Sequence, residues 1–380
     1  MMSAPEKNRF VPEPKVDEAG NYSDMYCLPG IRLFDRAHMT NTKNRDILDW
    51  LLEAENPSVR YFTLTSLLEK PPDDSDVKNA QKIIMTRGLV PKILEGQNED
   101  GSWGDPMRFY RDKYKGTSWT LLILAKLGAN PDNPGIRRAC EFILSHSQEP
   151  EQGGFSYDMS AKTGTGLPGG VIPCLTGNMV YSLVKLGYLN HPGVQKAIQW
   201  ITTYQRADDK TDNPAKGEPY DRLRMCLGAH SCHMGVAKTL KALTAIPENQ
   251  RSQDVKETIG KLTEYFLKHH LYKKSHNLEE ISKPGWLRPG FPLMYQTDIL
   301  ELLLLFHELG IRDPRLQDAI EILKKKRLKD GTWKLENTFN GRTPVSIEKK
   351  GESSKWITLR ALIALKEYGV TPQGFGNMKD

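Results

Sequence analysis

Along the 380-residue chain an apolar, helix-forming stretch returns six times at nearly even spacing, and that recurrence limits the fold more than any single motif. The stretches begin near Ser58, Thr117, Thr176, Ser231, Thr297 and Ser353, so successive starts lie 59, 59, 55, 66 and 56 residues apart. A long fixed period marks supersecondary units that cannot bury their apolar faces alone and stack on one another. Each start carries Ser or Thr, whose hydroxyl accepts hydrogen bonds from the free N–H groups of a first helical turn. Four stretches end in Leu-Gly or Tyr-Gly, where glycine takes the left-handed conformation that closes a helix. Amphipathic helices precede them and run into polar loops such as Gly101-Ser102-Trp103, Gly153-Gly154-Phe155 and Asp330-Gly331-Thr332-Trp333.

The two kinds of helix differ in how their apolar residues are placed. Leu121, Leu122, Ile123 and Leu124 in one repeating stretch, and Leu302 to Phe306 in another, leave no polar face. Helices apolar all round belong inside, and helices with one polar face belong outside. Six pairs imply an inner ring of helices wrapped by an outer ring, all-α and folded as one domain over residues 44–380. Residues 1–43, rich in Pro, Asn and charge, read as an extended arm with Tyr26-Cys27-Leu28-Pro29 as its docking point.

Composition narrows the setting. Fifty-three basic residues stand against 47 acidic ones, a net charge of +6 spread along the chain, which argues against nucleic acid as the main partner. The longest apolar run, Ile299–Phe306, is interrupted by Glu301 and too short to span a bilayer. With no signal-like start, a cytoplasmic location is expected. Five cysteines (Cys27, Cys140, Cys174, Cys226, Cys232) make a disulfide scaffold improbable at this length.

The segment Gln97-x-x-x-Gly101-x-Trp103 resembles the repeat motif of the squalene-cyclase and protein-prenyltransferase superfamily, with degenerate copies at Gln148/Gly154/Phe155 and Gly331/Trp333. The resemblance covers about residues 45–370 and implies an (α/α)6 toroid. It says little about activity, because one fold hosts several chemistries. In such a repeat the Gln bonds to backbone at a helix end and the Trp stacks over it. Trp103 and Trp333 are therefore expected to be structural.

Inner helices that start at one end gather free N–H groups and dipoles that favour thiolates and other anions. Three successive starts there carry Cys174, then Cys226, His230, Cys232 and His233, then Asp298. Neighbouring helices pack about 8–10 Å apart, close enough for side chains of the first turns to share an ion. Thiolate and imidazole ligands point to Zn²⁺ first. Protein prenyltransferases, which hold zinc with Asp, Cys and His, and the lanthionine-synthetase cyclases, which this Cys232-His233 pair resembles, imply Cys174, Cys232 and His233 as ligands. Ile172 stands where the prenyltransferase pattern has Asp. With Cys226 as fourth ligand the site is closed and structural; without it, open and Lewis-acidic.

Asp298 and His230 are the expected proton-transfer partners, and Trp119, Tyr295, Trp356 and Lys355 the expected cavity lining. Other features read more plainly. Asp208-Asp209-Lys210-Thr211-Asp212 has the DDxxD order of a diphosphate-binding motif but sits in a polar loop, and no D-x-D-D occurs. Lys268–His276 reads as a basic helix end, and Lys324–Arg327 as an exposed outer face. Arg342, Lys349 and Lys350 are candidates for an anionic head group. The expected function is that of a zinc-dependent enzyme of the isoprenoid-processing kind, holding a hydrophobic substrate in a central cavity, with a second subunit or a homo-oligomer left open. The alternative is a non-catalytic lipid- or peptide-binding toroid with a closed zinc site. Glycoside chemistry ranks last, because only one carboxylate, Asp298, is placed for it.

Overall fold

The computed structural model describes residues 46–372 and the backbone of Gly374 and Phe375. The chain divides into two units, Met1–Lys43 and Asn44–Asp380. The expected arm, Cys27 included, lies outside the described residues.

The described residues are mainly helical. The first helices are α1 (Ile47–Leu51), α2 (Pro57–Phe62, running on into a π turn at Thr63–Leu67), α3 (Ser75–Ile84) and α4 (Leu89–Leu94). Then come α5 (Thr117–Lys126), α6 (Pro134–His146), α7 (Pro173–Lys185), α8 (Pro192–Tyr204) and the single turn α9 (Arg224–Leu227). The chain continues through α10 (His233–Thr244), α11 (Gln253–Lys268), α12 (Ile299–Glu308), α13 (Gln317–Lys325) and α14 (Lys355–Leu365). Two short antiparallel hairpins complete it: β1 (Lys273–Lys274) with β2 (Asn277–Ile281), and β3 (Val370–Thr371) with β4 (Gly374–Phe375). The first hairpin takes up residues that the sequence assigned to a basic helix end; α11 stops at Lys268 instead.

The helices without a polar face are α5, α7, α10, α12 and α14. Every residue of α5 is buried, as is every residue of α12 from Ile299 to Phe306. They touch in order: α5 packs on α7, α7 on α10, α10 on α12, α12 on α14, and α14 on α2 and its π turn. Gly128, just after α5, brings that end against Phe62 of α2, where an added Cβ would stand 3.3 Å from the ring. Each also packs on a neighbour with a polar face, such as α6, α8, α11 and α13, while α1 packs on α14. The closest approach is between α7 and α10. Gly177 makes it possible, because a Cβ there would lie 2.4 Å from the carbonyl carbon of Lys238.

One set of bonds recurs between the loops and the helices. The backbone N–H groups of Trp103, Phe155 and Trp333 each donate at 3.0 Å to a threonine hydroxyl on an inner helix: Thr117, Thr176 and Thr358. Gln97 donates from its amide to the Gly101 and Gly135 carbonyls, and Gln148 likewise to Gly153 and Gly193, tying a loop to the following outer helix. Trp103 and Trp333 spend their indole N–H groups on Ile93 and Leu323 carbonyls. The start-of-helix threonines thus serve the loops more than their own first turns. The caps come instead from Asn56, Asp298 and Ser354.

Candidate functional site

Helices α2, α5, α7, α10, α12 and α14 line a cavity of about 450 Å³, within the range of roughly 300–1,000 Å³ typical of small-molecule sites. Its wall is mixed: Phe62 from α2, Leu304 and Leu305 from α12, Trp356, Leu359 and Ile363 from α14, and Phe291 from the loop before α12 stand beside Lys126, Lys185, Lys241, Glu301, His307, Glu308 and Arg360. Phe291 and Trp356 stack face to face, 4.1 Å between centroids. Whereas Lys185 and Glu308, at helix ends, are exposed, Lys126, Lys238, Lys241, Glu301 and Arg360 are turned inward.

Those charges form one cluster. Glu301 on α12 receives Lys238 at 2.5 Å on one oxygen and Lys241 at 2.9 Å on the other, both lysines from α10. Lys126, the last residue of α5, donates to the Leu293 carbonyl. Lys126, Lys241, Glu301 and Arg360 all face the cavity. Burial works to raise the Glu301 carboxyl, but Lys238, Lys241, Lys126 and Arg360 together hold it well below the usual carboxylate range. Burial pulls Lys238 down to about 8 against the attraction of Glu301. For Lys241 burial is outweighed by Glu301 and Tyr181, and its pKa rises. Burial and then the neighbouring cation Lys241 drive Lys126 well below the ordinary amine range. Three lysines and an arginine therefore surround one carboxylate, which two of the lysines already satisfy.

The residues singled out from sequence are distributed differently. Cys174 lies in the first turn of α7, and Cys232 is the N-cap of α10, its N–H bonded at 2.8 Å to the Cys226 carbonyl. The three thiols are electrostatic neighbours; burial first, then the other two sulfurs, push Cys174 up to about 12. His233 turns away from them. Its ring stacks on Trp286 at 3.8 Å, meets Phe266 edge-on, and bonds through Nε2 to the Leu271 carbonyl. Among the described residues no three His, Cys, Asp or Glu side chains stand together as a metal-holding group. Cys174, Cys226, Cys232 and His233 thus do not fit a zinc ion as a set. Cys232 caps the helix with extended backbone, whereas His233 opens it with its ring held between Trp286 and Phe266.

Asp298 is buried, and both of its oxygens are taken by backbone, Glu301 N–H at 2.8 Å and Gly290 N–H at 2.9 Å. Burial raises it to about 6. It caps α12. Trp356 lines the cavity, whereas Trp119 gives its indole N–H to the Tyr110 carbonyl and packs with Tyr110, Tyr114 and Tyr295 in a separate aromatic cluster. Lys355 points to Glu53 at 2.6 Å, away from the cavity. Arg342 lies over the Tyr114 ring, and Lys349 is exposed and paired with Glu352.

His230 is exposed and belongs to a second pocket. Asp209 Oδ1 lies 3.4 Å from His230 Nδ1 and 3.6 Å from His269 Nε2, beside Cys232 and Trp286. Asp208 pairs instead with Arg206 at 2.7 Å, so the DDxxD acids face different partners. The Asp209–His269 contact was not legible, because its members lie 60 residues apart in loop and helix end.

No protein-family model matches this chain, and no curated protein sequence is similar to it. Among solved structures it is similar to a protein from Actinoplanes, 12% identical over 84% of this chain and 97% of that one, with a TM-score of 0.41. It is also similar to the type II terpene cyclase MstE from Scytonema in complex with geranylgeranyl dihydroxybenzoate, 15% identical over 82% and 86%, TM-score 0.37. Likenesses this distant leave the reading to the residues themselves.

Proposed function

We propose that this chain closes its inner helices into an (α/α)6 toroid, holds a hydrophobic molecule of isoprenoid type in the central cavity, and acts on it there. The observation that carries the reading is the 450 Å³ cavity, walled by helices that have no polar face and by the stacked Phe291–Trp356 pair. The Gln97–Gly101–Trp103 ties and the helix contacts that return from α14 to α2 support the ring. A buried amine, Lys126, is the wall group best suited to give up a proton, since burial weakens its hold on it. Zinc has no part in this reading, because the predicted ligands do not converge.

Farnesol binding followed by calorimetry tests it. One site per chain is expected, and Leu305→Trp, which fills the cavity with an indole, should weaken binding at least tenfold while the thermal midpoint stays within a few degrees. Equal binding by that variant would place the ligand elsewhere. Recovery of the farnesyl chain chemically unchanged after long incubation would make the protein a carrier.

A further inference from the structure

Among the described residues, Arg360 is a charged group of the cavity wall with no ion-pair counterpart. Among the described residues its guanidinium makes no ion pair and no hydrogen bond; its Nε is buried without a partner, and its plane lies 5.6 Å from the Phe291 ring centroid. A guanidinium keeps its charge at any ordinary pH, so deprotonation cannot relieve the cost of this position. The carboxylate nearest in the cluster, Glu301, already receives Lys238 and Lys241. Lys126 adds three N–H donors against one carbonyl acceptor, Leu293. On the same wall the indole N–H of Trp356, a residue 97% withdrawn from solvent, also lacks a partner. All of these unmet groups are donors; the lining around them supplies no further acid except Glu308, on the last turn of α12.

We infer that the cavity is built to take a ligand whose hydrocarbon body ends in an anionic oxygen group, carboxylate or phosphate, held by Arg360 with Lys126 beside it. Resting on the cavity reading above, this names the polar end of the ligand and the side chain that selects it. The planar fork of Arg360 matches two oxygens of either group, and such charge-assisted pairs are about twice as strong as neutral ones. An alcohol of the same chain length satisfies one donor and leaves the arginine unpaired. The apolar part of the wall then sets affinity for the body, and the arginine sets preference for the head.

Three probes with one hydrocarbon chain separate the possibilities: farnesol, farnesoic acid in its ionised form, and farnesyl phosphate, each titrated calorimetrically into the full chain. At least one anion should bind ten times or more tighter than the alcohol, and which anion wins names the head group. Arg360→Gln should bring that anion down to the affinity of the alcohol. Arg360→Lys, which keeps the charge without the fork, should retain part of the preference and serves if the Gln variant folds poorly. Lys78→Gln, on the exposed face of α3, should retain all of it. Equal affinity for the three probes, or a preference that survives Arg360→Gln, overturns the inference while leaving the hydrophobic cavity standing. Binding of none of them removes the cavity reading and this one with it.

Discussion

At the scale of single residues, the buried ion cluster shows how strongly context governs a charge. Desolvating an ion costs several kcal/mol even after relaxation, so Lys238, fully withdrawn from solvent, persists only because Glu301 meets it. Lys238→Met should destabilise the fold by about 2–4 kcal/mol, since Glu301 loses one of its two lysines. The pH dependence fixes the sign of the lysine's own contribution. Its folded value, about 8, lies below the ordinary 10.5. Below 8 both states carry the proton and the burial penalty is complete; between 8 and 10.5 only the unfolded chain holds it, so stability contributed by this group rises with pH. Denaturant melts at pH 8 and pH 10 should show the gap between wild type and Lys238→Met widening toward the higher pH; a constant gap would mean that the lysine titrates normally. None of this was read from the sequence, where Lys238 and Glu301 stand 63 residues apart. A signal was present all the same: Lys126, Lys238, Lys241 and Glu301 sit in helices with no polar face, which favours an inward position.

At the scale of elements, local chemistry was the legible part. Gln97, Gly101 and Trp103 bond within a few residues of one another or to the next helix, and their resemblance to a known repeat motif marked them as ties. Helix starts were recovered to within three residues, α7 being the furthest off because Pro173 opens it ahead of Thr176. The metal expectation rested on the adjacency of Cys232 and His233 in the chain; among the described residues no three His, Cys, Asp or Glu side chains gather as a metal-holding group, and the His233 ring packs on Trp286 instead. Packing between elements is equally particular about where space is absent. Gly177→Ala puts a Cβ 2.4 Å from backbone on α10, which cannot rotate away as a side chain would. It should cost about 2 kcal/mol or more despite alanine's better helix propensity. Gly260→Ala, on α11 with open space around it, should instead gain up to about 1 kcal/mol. Parallel thermal melts of the two variants give opposite shifts if the α7–α10 approach is as close as described, and the same shift if it is not.

At the scale of the whole molecule, the cavity has a consequence that no single helix would produce. Its wall draws residues from α2, α5, α7, α10, α12 and α14, elements separated by up to about 300 residues of chain. A ligand seated there contacts all of them, so its binding free energy is distributed over the inner helices as a group. A ligand at a hundred times its Kd stabilises the folded state by about 2.7 kcal/mol. Hydrogen exchange then distinguishes a shared cavity from a surface groove. With farnesol at saturation, amides of all six helices should exchange more slowly together, since opening any one of them exposes the ligand. The pocket around Asp209, His230 and His269 should be unaffected, because it shares none of those wall residues. Protection confined to one or two neighbouring helices would mean that the inner helices respond separately, and the ring reading would have to be given up along with the central binding site that depends on it.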